Sequence, residues 1–139
     1  MRLTARSEYG LLAMIDLACE GFGAPVSARE IASRQAIPGK YLEQLLVTLR
    51  QAELVRSVRG ARGGFALMRP ANEISVLDIV EALEGPLMST VCDSDRAAVC
   101  GKSGACAAAD VWTKATTAVR EVLGETTLAD LADRQAGLE

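Results

Sequence analysis

Apolar positions keep a helical period along most of the chain and fall into paired strand-like runs only once. From Thr4 to about Glu20, Tyr9, Leu11, Leu12, Met14, Ile15, Leu17 and Ala18 leave little polar face, so this helix is expected to bury more than one side. Thr4 suits its N-cap, and Gly21 and Gly23 supply the stop. After Pro25, Ser27-Ala28-Arg29-Glu30 has the form of a capping box and opens a short helix through about Gln35. Ala36-Ile37-Pro38-Gly39 makes a turn. From about Lys40 to Ala52, Leu42, Leu45, Leu46 and Leu49 hold helical spacing, while Lys40, Glu43, Gln44 and Arg50 lie off that stripe.

Two short helices across a tight turn make a helix-turn-helix pattern, which is common on its own. The next segment sharpens it. Leu54–Val58 and Phe65–Met68 have the composition of strands, and between them lies Arg59-Gly60-Ala61-Arg62-Gly63-Gly64, a glycine-rich hairpin tip with two arginines. This is a β-wing: glycines let a thin loop approach DNA closely, and arginines suit the negative potential of a minor groove.

Pro70 ends the wing, and Ser75-Val76-Leu77-Asp78 starts another helix that runs to about Glu84, with Gly85-Pro86 as its stop. Residues 88–108 hold three cysteines and show no period. A long helix is expected from about Ala108 to Leu123. Val111, Ala115, Ala118 and Val122 form one apolar stripe, and Trp112, Thr116, Val119 and Leu123 its neighbour. Gly124 is expected to close it, and Thr127-Leu128-Ala129-Asp130 to cap one last short turn of helix. The pattern predicts a mainly α fold with a small β-wing. Residues 1–70 form a winged helix-turn-helix, 71–107 a linker helix and cysteine loop, and 108–139 a long helix with a tail. That long helix carries more apolar surface than one short domain can cover, so a symmetric homodimer built on it is expected.

Bulk properties narrow the class. A chain of 139 residues, half apolar and a quarter charged, suits one ordinary globular domain. No long uncharged apolar run is present to form a transmembrane helix, and Glu8 and Asp16 interrupt the first segment where a secretory signal would be uniformly apolar. A cytoplasmic protein is expected, with its four cysteines as thiols or metal ligands rather than disulfides. The net charge of −3 conceals an asymmetry. Residues 1–69 carry ten Lys/Arg against six Asp/Glu, and residues 70–139 carry five against twelve. The basic half is the half with the helix-turn-helix and wing, as a phosphate footprint requires.

Each candidate site has its own chemistry. At the start of the second short helix, Lys40 and Gln44 can donate to base edges, Gln44 can also accept, and Glu43 can accept from cytosine. Tyr41 admits two roles, a phosphate contact through its hydroxyl or plain packing. Ser27 at a helix N-terminus can meet a phosphate, although capping accounts for it equally. Arg59, Gly60 and Arg62 complete the expected DNA-binding set. Cys92-x7-Cys100-x5-Cys106 lacks the tight pairs of a zinc site, and its wide gaps in a Gly/Ala-rich loop better suit an iron–sulfur cluster. Zinc and incidental buried thiols are the alternatives. Cys19, apart from the others, is expected in the core. The absence of histidine removes His-ligated metals and His-based triads, and no nucleotide-binding or nucleophile motif is present, so no catalytic site is expected.

Met1-Arg2-Leu3-Thr4, Tyr41-Leu42-Glu43-Gln44-Leu45, Val58-Arg59-Gly60 with Gly63-Gly64, and the late cysteines together resemble the Rrf family of winged-helix transcription regulators over nearly the whole chain. The family includes IscR, NsrR, RirA and CymR types. The resemblance implies a homodimer on the long C-terminal helix, with a cluster near the dimer interface and the DNA-reading units. It places the wing tip on Arg59 and Gly60, the base-reading acid on Glu43, and the thiolate ligands on Cys92, Cys100 and Cys106. The seven-then-five cysteine gap resembles the RirA type. Two departures bear on the fourth ligand: Ala109 stands near where IscR-like members have a ligating histidine, and Glu8 where NsrR-like members have a ligating aspartate. Glu8, reaching from the partner subunit, is therefore the candidate fourth ligand of a 2Fe-2S or 4Fe-4S cluster. Its place in a helix's first turn is also explained by the helix dipole, and Asp93, Asp95, Asp110 or a small thiol are the other candidates. Pro38 replaces a serine found in some members, which puts a base contact there in doubt. The expected function is a dimeric repressor on a near-palindromic operator, controlled by a cluster that senses iron, cluster, oxidant or nitric-oxide status. The alternatives are a metal-free, CymR-like regulator of cysteine and sulfur metabolism controlled by a protein partner, and a small redox cluster protein without DNA binding. The arginine-bearing wing argues against the latter.

Overall fold

A computed structural model describes residues 3–87 and 106–138. Helix α1 (Ala5–Glu20) begins where the Thr4 hydroxyl accepts from the Arg6 N–H at 3.2 Å, and it ends at Gly21, whose φ of 104° suits glycine. Helix α2 (Ala28–Gln35) is capped by Ser27, which accepts from the Glu30 N–H at 3.1 Å. Ala36 turns the chain in the left-handed region, Ile37 tucks into the core, and α3 (Gly39–Gln51) starts after Pro38. Strands β1 (Val55–Val58) and β2 (Gly64–Leu67) pair antiparallel, with Val55 opposite Leu67 and Val58 opposite Gly64. A short 3-10 turn (Ala71–Glu73) leads to α4 (Val76–Glu84), which Ser75 and Asp78 open with a complete capping box. Helices α5 (Ala107–Glu125) and α6 (Leu128–Leu138) follow.

The helix α1 runs through the centre, packing against α2, α3, α4, α6 and β2, as its dense apolar pattern predicts. Met14 and Leu17 meet Ile31 of α2, Leu42, Leu45, Leu46 and Leu49 of α3, Leu67 of β2, Ile79 of α4 and Leu128 of α6 in one core. Each such side chain contributes roughly 1.5–3 kcal/mol by leaving water. A second cluster joins Val76, Val80 and Leu87 to Val119 and Leu123 of α5. The exit from α4 is fastened there: Glu81 accepts from the Leu87 N–H and from Arg120, each at 3.0 Å. Among the described residues no helix is long and apolar enough to cross a membrane.

Three expectations need correction. Gly124 does not close α5, which continues to Glu125. A helical glycine costs only about 1 kcal/mol relative to alanine, and the break falls instead at Thr126, whose carbonyl accepts from the Val76 N–H at 2.9 Å. The tail is not one short turn but the 11-residue α6. Reciprocal bonds of 3.1 Å between Thr127 and Asp130 cap it, and Leu128 is fully buried. Cys19 is exposed rather than in the core. It lies in the last turn of α1, with its sulfur 3.9 Å from the Ala132 carbonyl.

Candidate nucleic-acid interface

The α2–turn–α3 unit is placed from both sides. On its inner face, the four leucines of α3 are fully or almost fully buried. On its outer face, Lys40, Glu43 and Gln44 are exposed, as expected of residues that meet a ligand. Tyr41 is half-buried, its ring edge-on to Tyr9 at 81° with centroids 5.7 Å apart, so the ring has a packing role. Ser27 is partly exposed at the N-terminus of α2, where its capping bond is in place. Val47, which polarity alone did not single out, shares the outer face of α3 and is 39% exposed. The signal that could have found it is its spacing of three and four residues from Gln44 and Glu43.

The α2 helix is locked to α1 by charge. The Asp16 carboxylate, 4% exposed, accepts from Arg34 Nη2 at 2.6 Å and from Gln35 Nε2 at 3.0 Å, while Glu20 takes Arg34 Nη1 at 2.7 Å. Burial alone would disfavour the guanidinium charge, but the hydrogen bond to Glu20 and the charge of Asp16 together raise its pKa above the ordinary value.

The wing is rigid at its root and exposed at its tip. One edge of β2 pairs with β1, and the other pairs with Val26, through Val26 N–H to Phe65 O and Phe65 N–H to Val26 O, both 2.8 Å. Val26 is the residue before the Ser27 cap, so wing and helix-turn-helix share one hydrogen-bonded frame. Arg50 of α3 adds a bond to Ser57 of β1 at 3.2 Å. Beyond this root, Arg59, Gly60 and Arg62 are exposed; Gly60 has φ 112°, and its carbonyl accepts from the Gly63 N–H at 3.0 Å to close the tip. Neither tip arginine has an ion pair among the described residues.

The expected metal ligands are only partly in view. Cys92 and Cys100 lie outside the described residues. Cys106 is the N-cap residue of α5 and half-buried, and Glu8 is exposed in the first turn of α1. Among the described residues no three Cys, Asp or Glu side chains gather to hold a metal. On α5, Thr116 alone is buried among the described residues of the two predicted stripes; Val119 and Leu123 pack partly on α4, while Val111, Trp112 and Val122 are 55–63% exposed.

A helix-turn-helix with a polar outer face beside an arginine-tipped wing defines a winged-helix DNA-binding protein. Residues 3–134 match the Rrf2 family, described as "Iron-dependent Transcriptional regulator", and the chain belongs to that family. Protein rrf2 of Nitratidesulfovibrio vulgaris is 40% identical over 131 residues, covering 94% of this chain and 87% of the relative. The solved structure of CymR, described as the global cysteine regulator of B. subtilis, superposes with a TM-score of 0.78 at 36% identity, covering 96% of this chain and 98% of that one. T. potens IscR superposes with a TM-score of 0.74 at 39% identity, covering 97% and 88%. The protein is thus a transcription regulator of the Rrf2 family.

Proposed function

We propose that the chain is a dimeric repressor in which α3 enters the major groove, the wing tip enters the adjacent minor groove, and an iron–sulfur cluster controls operator affinity. The observation that carries the DNA-reading part is the pairing of an exposed, polar outer face on α3 with two exposed wing arginines on one frame. In this reading Lys40, Glu43 and Gln44 meet base edges, Arg59 and Arg62 with Gly60 meet the minor groove, and Ser27 and the Tyr41 hydroxyl lie toward phosphates. Residues 1–70 are the reading unit, 71–107 the linker helix and cysteine loop, and 108–139 the dimerisation helix and tail. Val111, Trp112 and Val122 pair across the two-fold axis, which sets half-sites about 34 Å apart on a near-palindromic operator.

The donor set suits an iron–sulfur cluster: three thiolates from Cys92, Cys100 and Cys106, with Glu8 of the partner as the oxygen ligand. Cys106 supports this fit, because the positive end of the 19-residue α5 favours a negatively charged sulfur there. When bound, such a cluster supplies a link that iron shortage, oxidants or nitric oxide break. The chain's own residues carry the consequence. Cys106 opens α5, which packs on α4; Glu84 at the end of α4 accepts a hydrogen bond from Thr4 at the start of α1; and Asp16 of α1 holds α2. The test is anaerobic purification with iron and sulfide analysis and a visible spectrum. Cys92→Ala, Cys100→Ala and Cys106→Ala should each remove most iron, Glu8→Ala should leave a labile or spectrally altered cluster, and Cys19→Ala should change nothing. The likeness to CymR favours one second reading, a metal-free regulator governed by a protein partner. Iron-free protein that binds its operator at full affinity would establish that reading instead.

A further inference from the structure

We propose that Val47 is a specificity-determining residue that reads the C5-methyl group of a thymine in the major groove. The inference rests on the DNA-reading role given to α3 and adds a contact of a different chemical kind. Lys40, Glu43, Gln44 and Val47 stand at i, i+3, i+4 and i+7, so they share one face of α3, and all four are exposed. Leu42, Leu45, Leu46 and Leu49 are buried on the opposite face. Val47 therefore sits within the reading surface rather than at its margin, and it is the one large apolar side chain there, 39% exposed. A homeodomain's reading helix uses the same four-residue spacing over two turns.

Neither a place in the core nor helix propensity explains a valine at this place. Its side chain does not belong to the core cluster, and as a β-branched residue it forms helix less readily than the Lys, Glu, Gln or Arg that suit a solvated face. The major groove offers it a partner. Thymine alone among the bases presents an apolar group there, and a side chain without donors or acceptors can read only that group. The helix rise puts Val47 about 10 Å along the axis from Lys40, or about three base pairs if the helix follows the groove. Glu43 and Gln44 then read hydrogen-bonding edges between them, and Val47 adds a methyl-specific contact farther along the site.

The test uses the intact protein to select duplexes from a random-sequence pool. Each thymine of a selected duplex is then replaced singly by deoxyuracil, which removes the methyl and keeps every hydrogen-bonding edge. The expected result is one thymine per half-site whose demethylation weakens wild-type binding roughly three- to tenfold, the scale of a lost methyl contact. Val47→Ala should weaken binding to the methylated duplex by a similar factor and lose all sensitivity to that deoxyuracil. Circular dichroism should show the variant folded, since alanine favours helix and the position is exposed. Uniform indifference of the wild type to deoxyuracil, or a Val47→Ala protein that keeps the full methyl effect, overturns the inference while leaving the DNA-reading role intact. A pool that yields no enriched duplex overturns that role itself, and this inference with it.

Discussion

The Asp16 carboxylate on α1 accepts from the Arg34 guanidinium on α2 at 2.6 Å, and this bond joins the central helix of the core to the first helix of the reading unit. The two partners are not equivalent, because Asp16 is 4% exposed at its side chain and Arg34 is 42% exposed. Removing the cation leaves a buried anion with no counter-charge and only the Gln35 amide bond at 3.0 Å, whereas neutralising the anion leaves a guanidinium that water and Glu20 still satisfy.

Arg34→Ala is therefore expected to cost about 2–4 kcal/mol of stability and Asp16→Asn about 1 kcal/mol. Urea unfolding of both variants measures the difference; an Asp16→Asn protein that is the less stable of the two would contradict the asymmetry.

Gly64 and Gly60 both have positive φ, at 149° and 112°, but only one is crowded. A Cβ on Gly64 would lie 2.2 Å from the Val26 carbonyl oxygen, while one on Gly60 meets nothing within 4 Å. Gly64→Ala should break the pairing of β2 with Val26 and lose about 2–4 kcal/mol; Gly60→Ala, strained only in its backbone, should lose about 1 kcal/mol. Hydrogen exchange at the Phe65 amide, which bonds to Val26, checks the site of damage: it should speed up in Gly64→Ala and not in Gly60→Ala.

At the cap of α6, the hydrogen bond from the Thr127 N–H holds the Asp130 carboxyl below its ordinary pKa. A depressed carboxylate pKa contributes stability above the unfolded value, and this is lost as pH falls through the folded value. The difference in melting temperature between wild type and Asp130→Asn should be present near pH 6 and shrink below about pH 4. A difference that grows on acidification would be the wrong sign.

Much of this architecture was legible in the chain. Thr4, Ser27 and Ser75 mark three helix starts because a cap is a local hydrogen bond, and Leu42, Leu45, Leu46 and Leu49 mark the buried face of α3 because one face of a helix repeats regularly. What escaped depends on tertiary contacts. Gly124 looks like a stop, yet the α5–α6 junction is set by the bond between Thr126 and Val76, 50 residues apart. Leu128 and Ala132 make α6 longer than its own composition suggests because the core receives them. Cys19 resembles a core thiol because Leu17 and Ala18 before it are apolar, but in the fold it is exposed in the last turn of α1, with its sulfur 3.9 Å from the Ala132 carbonyl. The exposure of Lys40, Glu43 and Gln44 was legible from type and spacing, whereas that of Val47, an apolar residue, is displayed only by the fold.

Dimerisation through α5 predicts that Trp112→Glu abolishes self-association, since a charge on the exposed apolar face cannot be buried unpaired. Sedimentation at micromolar concentration should give a dimer for the wild type and a monomer for the variant. A wild-type protein that is monomeric yet binds its operator tightly would remove α5 from this role.

The central claim is that α3 and the wing read DNA together, and titration of a selected operator duplex with wild type and Arg59→Ala at several salt concentrations tests it most directly. The account predicts steeply salt-dependent binding by the wild type, a loss of about 1–3 kcal/mol for Arg59→Ala, and a shallower salt slope for the variant. Arg59→Ala binding with wild-type affinity and an unchanged salt slope would contradict it.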